Sequence, residues 1–298
     1  MQNCHHFPLL FKHCMMRQFI FFCLLLIYTT LRAQDDFYNP YFDFGPGDEL
    51  LLLYDKVNLY EKANTNSKVI DYLPLGKSVV VKSNPMDRSI TNGLELPWIE
   101  VSYKHEGKEK VGFLWSGFLS LPVENYATDK SLTFLFGVSK IVSVKQKKNN
   151  ELVLYMNCKV LSQGKLLAEK EFKSIYNGLS YYRNLNVYDN KGLNGIKNIL
   201  NFDFRNVYFP GEYGVQIFFW DGKQLAAVKD IKNLADPPCY YTEELIYPND
   251  EGGLKDHILI RADNGCNEGD QQIETKTGQY IWKKRKLNLQ MESKINYH

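Results

Sequence analysis

Three histidines lie beyond residue 33: His105, His257 and the terminal His298. Nucleophilic or acid–base catalysis needs such a group held beside a nucleophile or a reacting proton. His105 falls at a hairpin tip with Glu106-Gly107, and His257 opens the apolar run HILIRA; both are ordinary settings for a surface imidazole. No Gly-x-Ser-x-Gly elbow occurs. Cys158 sits in the strand-like run ELVLYMNCKVL, where it acts as a small buried hydrophobe. No His-x-x-x-His or Cys-x-x-Cys pair supplies a zinc site. The loop Asp263-Asn264-Gly265-Cys266-Asn267-Glu268-Gly269-Asp270 is rich in oxygen ligands of the kind Ca²⁺ takes, but it lacks the EF-hand spacing. It is read as a solvated loop, so neither a metal nor a cofactor is expected. Adjacent acids such as Glu243-Glu244 resemble glycosidase carboxylates in type, and such pairs are also common on surfaces. Lys283-Lys284-Arg285-Lys286 ends the last apparent strand; the residues suit contact with an anionic polymer or lipid surface, and are read in preference as a charged sheet edge that discourages edge-to-edge pairing.

The composition narrows the field further. Thirty-six basic residues against 34 acidic give a net charge of +2, too close to neutral for a protein that coats nucleic acid. The hydrophobic share of 44% and charged share of 23% are those of a globular chain. Twenty Tyr and 18 Phe favour β-structure. Phe19 to Tyr28 (FIFFCLLLIY) is an apolar run after Arg17 and before Leu31-Arg32-Ala33. A basic start, an apolar middle and a small residue at the cut make residues 1–33 an expected signal peptide, cleaved between Ala33 and Gln34. As a helix the run spans about 15 Å, half of a bilayer core of roughly 30 Å, so no membrane span is expected after its removal. Met1, Met15 and Met16 all remain possible starts. Cleavage would remove Cys4, Cys14 and Cys23 and leave Cys158, Cys239 and Cys266. In a secreted or periplasmic compartment, Cys239 and Cys266, each beside a turn-rich stretch (DPPCYY and DNGCNEGD), are the expected disulfide, with Cys158 free.

These residues must be positioned by strands. Residues 34–49 are an aromatic, turn-rich lead-in. From 50 to 122 short apolar runs (LLLY, VNLY, KVIDYL, KSVVVK, WIEVSY, VGFLW) alternate with breaks such as NTNS, PLG, SNP, TNG and HEGKE. That pattern predicts a small barrel of five or six strands. Residues 123–130 (VENYATDK) are polar and predicted to be a linker. Residues 131–290 carry longer runs and are predicted to form a larger antiparallel, sandwich-like β-domain, with 291–298 as a tail. Asp221-Gly222 predicts a hairpin between Val215–Trp220 and Lys223–Val228. Asn149-Asn150, Gln163-Gly164 and Thr277-Gly278 mark further turns. Short helix is expected only around Glu169–Tyr182 and Glu243–Leu245.

The stretch VNLYEKANTNSKVIDYLPLGKSVVV resembles the opening of a bacterial SH3 domain, through Asn58, Ser67, Val69, Ile70, Leu73, Gly76 and Val79. Trp98-Ile99-Glu100-Val101 matches that family's Trp-led strand. Val111-Gly112-Phe113-Leu114 matches its closing strand, and Phe118-Leu119-Ser120 its terminal helical turn. The sequence departs at Tyr60, where the family usually has Arg, at Lys62-Ala63, at Phe113 in place of Trp, and in a longer insert before Trp98. The resemblance implies a mainly β chain with an SH3-like barrel at 50–122 that binds rather than catalyses. Its expected partner is cell-wall peptide or glycan, or an envelope protein. Flat aromatic faces suit such ligands. Tyr60, Tyr72, Tyr103 and Trp115 are the candidate ligand-binding residues, Tyr60 and Trp115 being expected at exposed loop edges and Trp98 in the core. Two alternatives stay open: an envelope hydrolase using acids such as Asp203, Glu212 or Glu243 in the C-terminal region, and a structural module of an envelope complex.

Overall fold

Strands dominate the computed structural model, which describes residues 44–145, 150–175, 180–206, 211–266 and 273–297. The expected signal peptide, most of the lead-in, the Asn149 half of one predicted turn and Asn267–Asp270 lie outside these residues. Among the described residues there is no α-helix, and none long and apolar enough to cross a membrane.

The first sheet has seven strands: β1 (Glu49–Leu51), β2 (Val57–Tyr60), β3 (Val69–Leu73), β4 (Ser78–Val81), β5 (Arg88–Thr91), β6 (Leu94–His105) and β7 (Lys108–Trp115). Their order is β1-β4-β6-β7-β2-β3, with β5 pairing β6. The expected barrel does not close. β1 and β3 remain at opposite ends, and β2 meets β7 only at the pair Tyr60–Phe113. Two hairpins turn on left-handed pairs: Asn92-Gly93 (φ 54° and 77°) and Glu106-Gly107 (51° and 76°). Tight two-residue loops require this conformation, and Gly and Asn tolerate it best. The 3₁₀ turn Ser116–Phe118 follows β7.

A three-stranded sheet of β9 (Leu132–Lys145), β10 (Asn150–Ser162) and β11 (Lys165–Lys173) comes next in the chain. The predicted helix near Glu169 is instead the strand β11. Good helix formers (AEKEF) are overridden there because pairing with β10 turns Ala168 and Phe172 toward the core. Gln163-Gly164 makes its predicted turn, at φ 49° and 76°.

The third sheet has nine strands. β8 (Val123–Asn125) runs parallel to β12 (Ser180–Asp189), and the rest form an antiparallel meander. That meander comprises β13 (Asn198–Asn206), β14 (Glu212–Trp220), β15 (Leu225–Asp236), β16 (Cys239–Ile246), β17 (Ile258–Cys266), β18 (Ile273–Lys283) and β19 (Lys286–Tyr297). Several sequence expectations are corrected here. The predicted linker supplies β8, since a polar composition does not prevent an edge strand. The tail belongs to β19. Thr277-Gly278 lies inside β18, paired with β17 and β19, and Glu243–Leu245 is strand. The Asp221-Gly222 hairpin forms with a four-residue loop, Trp220 pairing with Leu225, because the Asp221 carboxylate accepts the backbone N–H groups of Lys223 and Gln224. The Lys283–Lys286 cluster is no free edge: Lys284 and Arg285 are the turn from β18 to β19, at φ 52° and 61°.

One hydrophobic cluster runs through all three sheets, joining Leu59, Trp98 and Leu119 to Phe134, Phe136, Phe172, Phe202 and Phe218. Phe136–Phe202 and Phe172–Phe218 ring centroids lie 4.4 and 4.7 Å apart, which lays the three-stranded sheet on the nine-stranded one. On the other face of β14, Phe219 reaches Trp282 of β18 at 4.9 Å, so the long sheet curls over a second cluster.

Candidate functional site

A cleft of about 320 Å³ opens where the first sheet meets β9. Its lining includes Tyr54, Tyr60, Trp115, Phe118 and Val138, with Asp55, Lys56, Asn58, Asn92 and Ser139 around them. Each aromatic is held by a local cause. Trp115 stands opposite Trp98 across β6 and β7, and its indole N–H donates to the Ser89 carbonyl at 3.1 Å. Its ring folds over Gly117, where any Cβ would fall inside the ring's van der Waals surface. Phe118 packs edge-on to Trp115 at 5.2 Å and to Tyr54 at 6.1 Å. Tyr60 packs edge-on to Trp98 at 5.5 Å, and its hydroxyl accepts a hydrogen bond from Asn58 Nδ2 at 3.0 Å.

The segment carrying Tyr54 crosses the three-stranded sheet at Gly137, where a Cβ would come within 2.6 Å of Leu53 Cδ2. The crossing sets the Tyr54 ring under the buried Lys159 ammonium, 4.9 Å from its centroid. Lys159 also pairs with Glu169 at 3.5 Å. Burial first, then the charges of Glu169 and Glu171, push the Tyr54 hydroxyl up to about 12, so it stays protonated at neutral pH. Ser139 Oγ donates to Glu171 at 2.6 Å, and Glu171 also binds Lys140 at 2.7 Å.

The structure divides the four predicted ligand residues. Tyr60 and Trp115 line this cleft, but they are 9% and 4% exposed and not the exposed loop-edge aromatics the sequence suggested. The strand pairing and Gly117 fold both rings inward, into the floor of the cleft. Tyr103 is 5% exposed and borders a second cleft of about 540 Å³ with Lys77, Lys104, Glu49 and Glu109. Its hydroxyl donates to Asp71, which also takes Lys110 at 2.7 Å. Tyr72 is 65% exposed and lines neither cleft. Trp98 is core, at 2%. Sequence reasoning missed Tyr54, Asn58 and Ser139. Only the Asn at position 58 carried a signal, as part of the family-like opening.

Elsewhere the carboxylates of the hydrolase alternative are kept apart. Asp203 of β13 pairs across from Val215, and Glu212, three residues along β14, falls on the opposite face. Glu243 of β16 is paired with Lys229 at 3.0 Å. His257 Nδ1 lies 2.8 Å from the Lys255 carbonyl. Among the described residues no group of three His, Cys, Asp or Glu side chains is placed to hold a metal ion. Cys239 and Cys266 face each other across β16 and β17 and are joined, and Cys158 is free and buried, as expected. No family model matches the chain, and no curated protein is similar to it.

Proposed function

We propose that this chain is an exported, non-enzymatic binding protein. Its first sheet acts as an SH3-like module on a sandwich-like body, and the module recognises cell-wall peptide or glycan, or an envelope protein partner. The observation that carries the reading is the cleft: an aromatic floor with a rim of short polar side chains, which is the make-up of a recognition site. The Cys239–Cys266 bond supports passage through an oxidising compartment, as the apolar run before Gln34 does. The test is co-sedimentation of the full chain with purified peptidoglycan sacculi, alongside an assay for released fragments. Sedimentation without release is expected. Release of soluble fragments would reject the non-enzymatic reading, and absence from the pellet would reject a cell-wall ligand.

A further inference from the structure

We infer that the cleft beside Trp115 takes a neutral saccharide of one or two rings, an inference that rests on the binding reading above and names its ligand class. The hydrogen-bonding groups around the floor are part donor and part acceptor. The Tyr60 hydroxyl already accepts from Asn58 Nδ2, so its own proton is left to donate outward. Asn58 Oδ1 has no partner among the described residues and is left to accept. Ser139 Oγ donates its hydrogen bond to Glu171 and keeps lone pairs to accept. Asp55 Oδ1 accepts from the Leu75 N–H at 3.2 Å, which leaves its second oxygen open. The charges of Asp55 and Lys56, both exposed, offset each other at the rim. Trp115 offers no donor, because its N–H is engaged at Ser89, and contributes only apolar ring surface.

A ligand that matches this set is uncharged, carries groups that both donate and accept, and has an apolar face. A pyranose has all three: each hydroxyl is donor and acceptor, and its C–H face packs on aromatic rings. A charged peptide would instead call for a fixed counter-charge at the floor, and the charges near the cleft are already paired or offset. The cleft volume of about 320 Å³ is at the small end for ligand sites, which suits one or two rings.

The experiment titrates the full chain with N,N′-diacetylchitobiose, cellobiose and maltose, and separately with the pentapeptide L-Ala-D-Glu-L-Lys-D-Ala-D-Ala, followed by tryptophan fluorescence and calorimetry. Asn58→Ala should weaken the bound disaccharide at least tenfold, and Tyr72→Ala, outside the cleft, should leave it unchanged. Asn92→Gly removes a second rim amide while keeping the left-handed backbone at φ 54° unstrained, so it tests the site if Asn58→Ala fails to fold. Disaccharide binding that neither Asn58→Ala nor Asn92→Gly changes would overturn the inference. Pentapeptide binding without disaccharide binding would overturn it too, and would leave the binding reading standing. Failure of both probes, together with absence from the sacculus pellet, would remove the binding reading as well.

Discussion

Gly117 lies against the Trp115 ring in the lining of the cleft. The Trp115 ring occupies the space a side chain would need there. Gly117→Ala should therefore drive the ring out and cost about 1–3 kcal/mol, the usual penalty of overpacking. The check is a lowered melting temperature together with a changed near-ultraviolet circular dichroism spectrum. Asp71 makes a different kind of statement. Its carboxyl is held well below the usual carboxylate range, chiefly by the hydrogen bond from Lys110, then by those from the Tyr103 hydroxyl and the Tyr72 N–H. A depressed folded-state value contributes stability above the unfolded value, near 3.9, and that contribution is lost as pH falls below it. Wild type should thus lose stability between about pH 5 and pH 2 more steeply than Asp71→Asn, as measured by urea midpoints across that range. Sequence revealed the kinds of residue at these places but not their company. Tyr54 and Ser139 are 85 positions apart, and nothing local announces that one will face the other's strand.

At the scale of elements, short-range signals were readable and long-range pairing was not. Asn92-Gly93, Glu106-Gly107 and Gln163-Gly164 specify their hairpins because both turn residues must tolerate positive φ. The same logic failed at Lys284-Arg285, where two residues without that tolerance are held in the left-handed region by the strands they join. β8 and the second half of β11 were missed because pairing partners, not propensity, make them strands. The cysteines were legible, since two turn-rich settings and an odd count left one sensible pair. Cys158 follows from its strand: burial raises its thiol far above the ordinary value, so the reactive thiolate is scarce. In the chain from Gln34 onward, native protein should give no reaction with a thiol reagent at neutral pH, and denatured protein should give one equivalent. A native equivalent of one would show that the Cys158 strand opens readily.

At the scale of the molecule, the mainly β class was legible and the open form of the first sheet was not. The first sheet shares its core with the rest, through contacts that no run of sequence displays. The Leu121 N–H donates to the Phe136 carbonyl at 2.6 Å, and Ser120 Oγ meets that carbonyl at 3.2 Å. Leu119 and Phe136 belong to one cluster. A fragment of residues 44–121 would expose that face and should stay unfolded or aggregate, in contrast to an independent domain. Dispersed amide resonances from the isolated fragment would refute this. The long sheet is narrow at one place: β15 and β16 share only the pairs Leu234–Tyr241, Ala235–Tyr240 and Asp236–Cys239. Beside that neck the Cys239–Cys266 bond closes 27 residues of chain. Under a pulling force those residues cannot pay out, and at about 3.4 Å each they withhold roughly 90 Å of extension. The oxidised molecule pulled from its ends should therefore lengthen by that much less than the reduced one. Once the neck parts, β16 and β17 would travel as a single closed link.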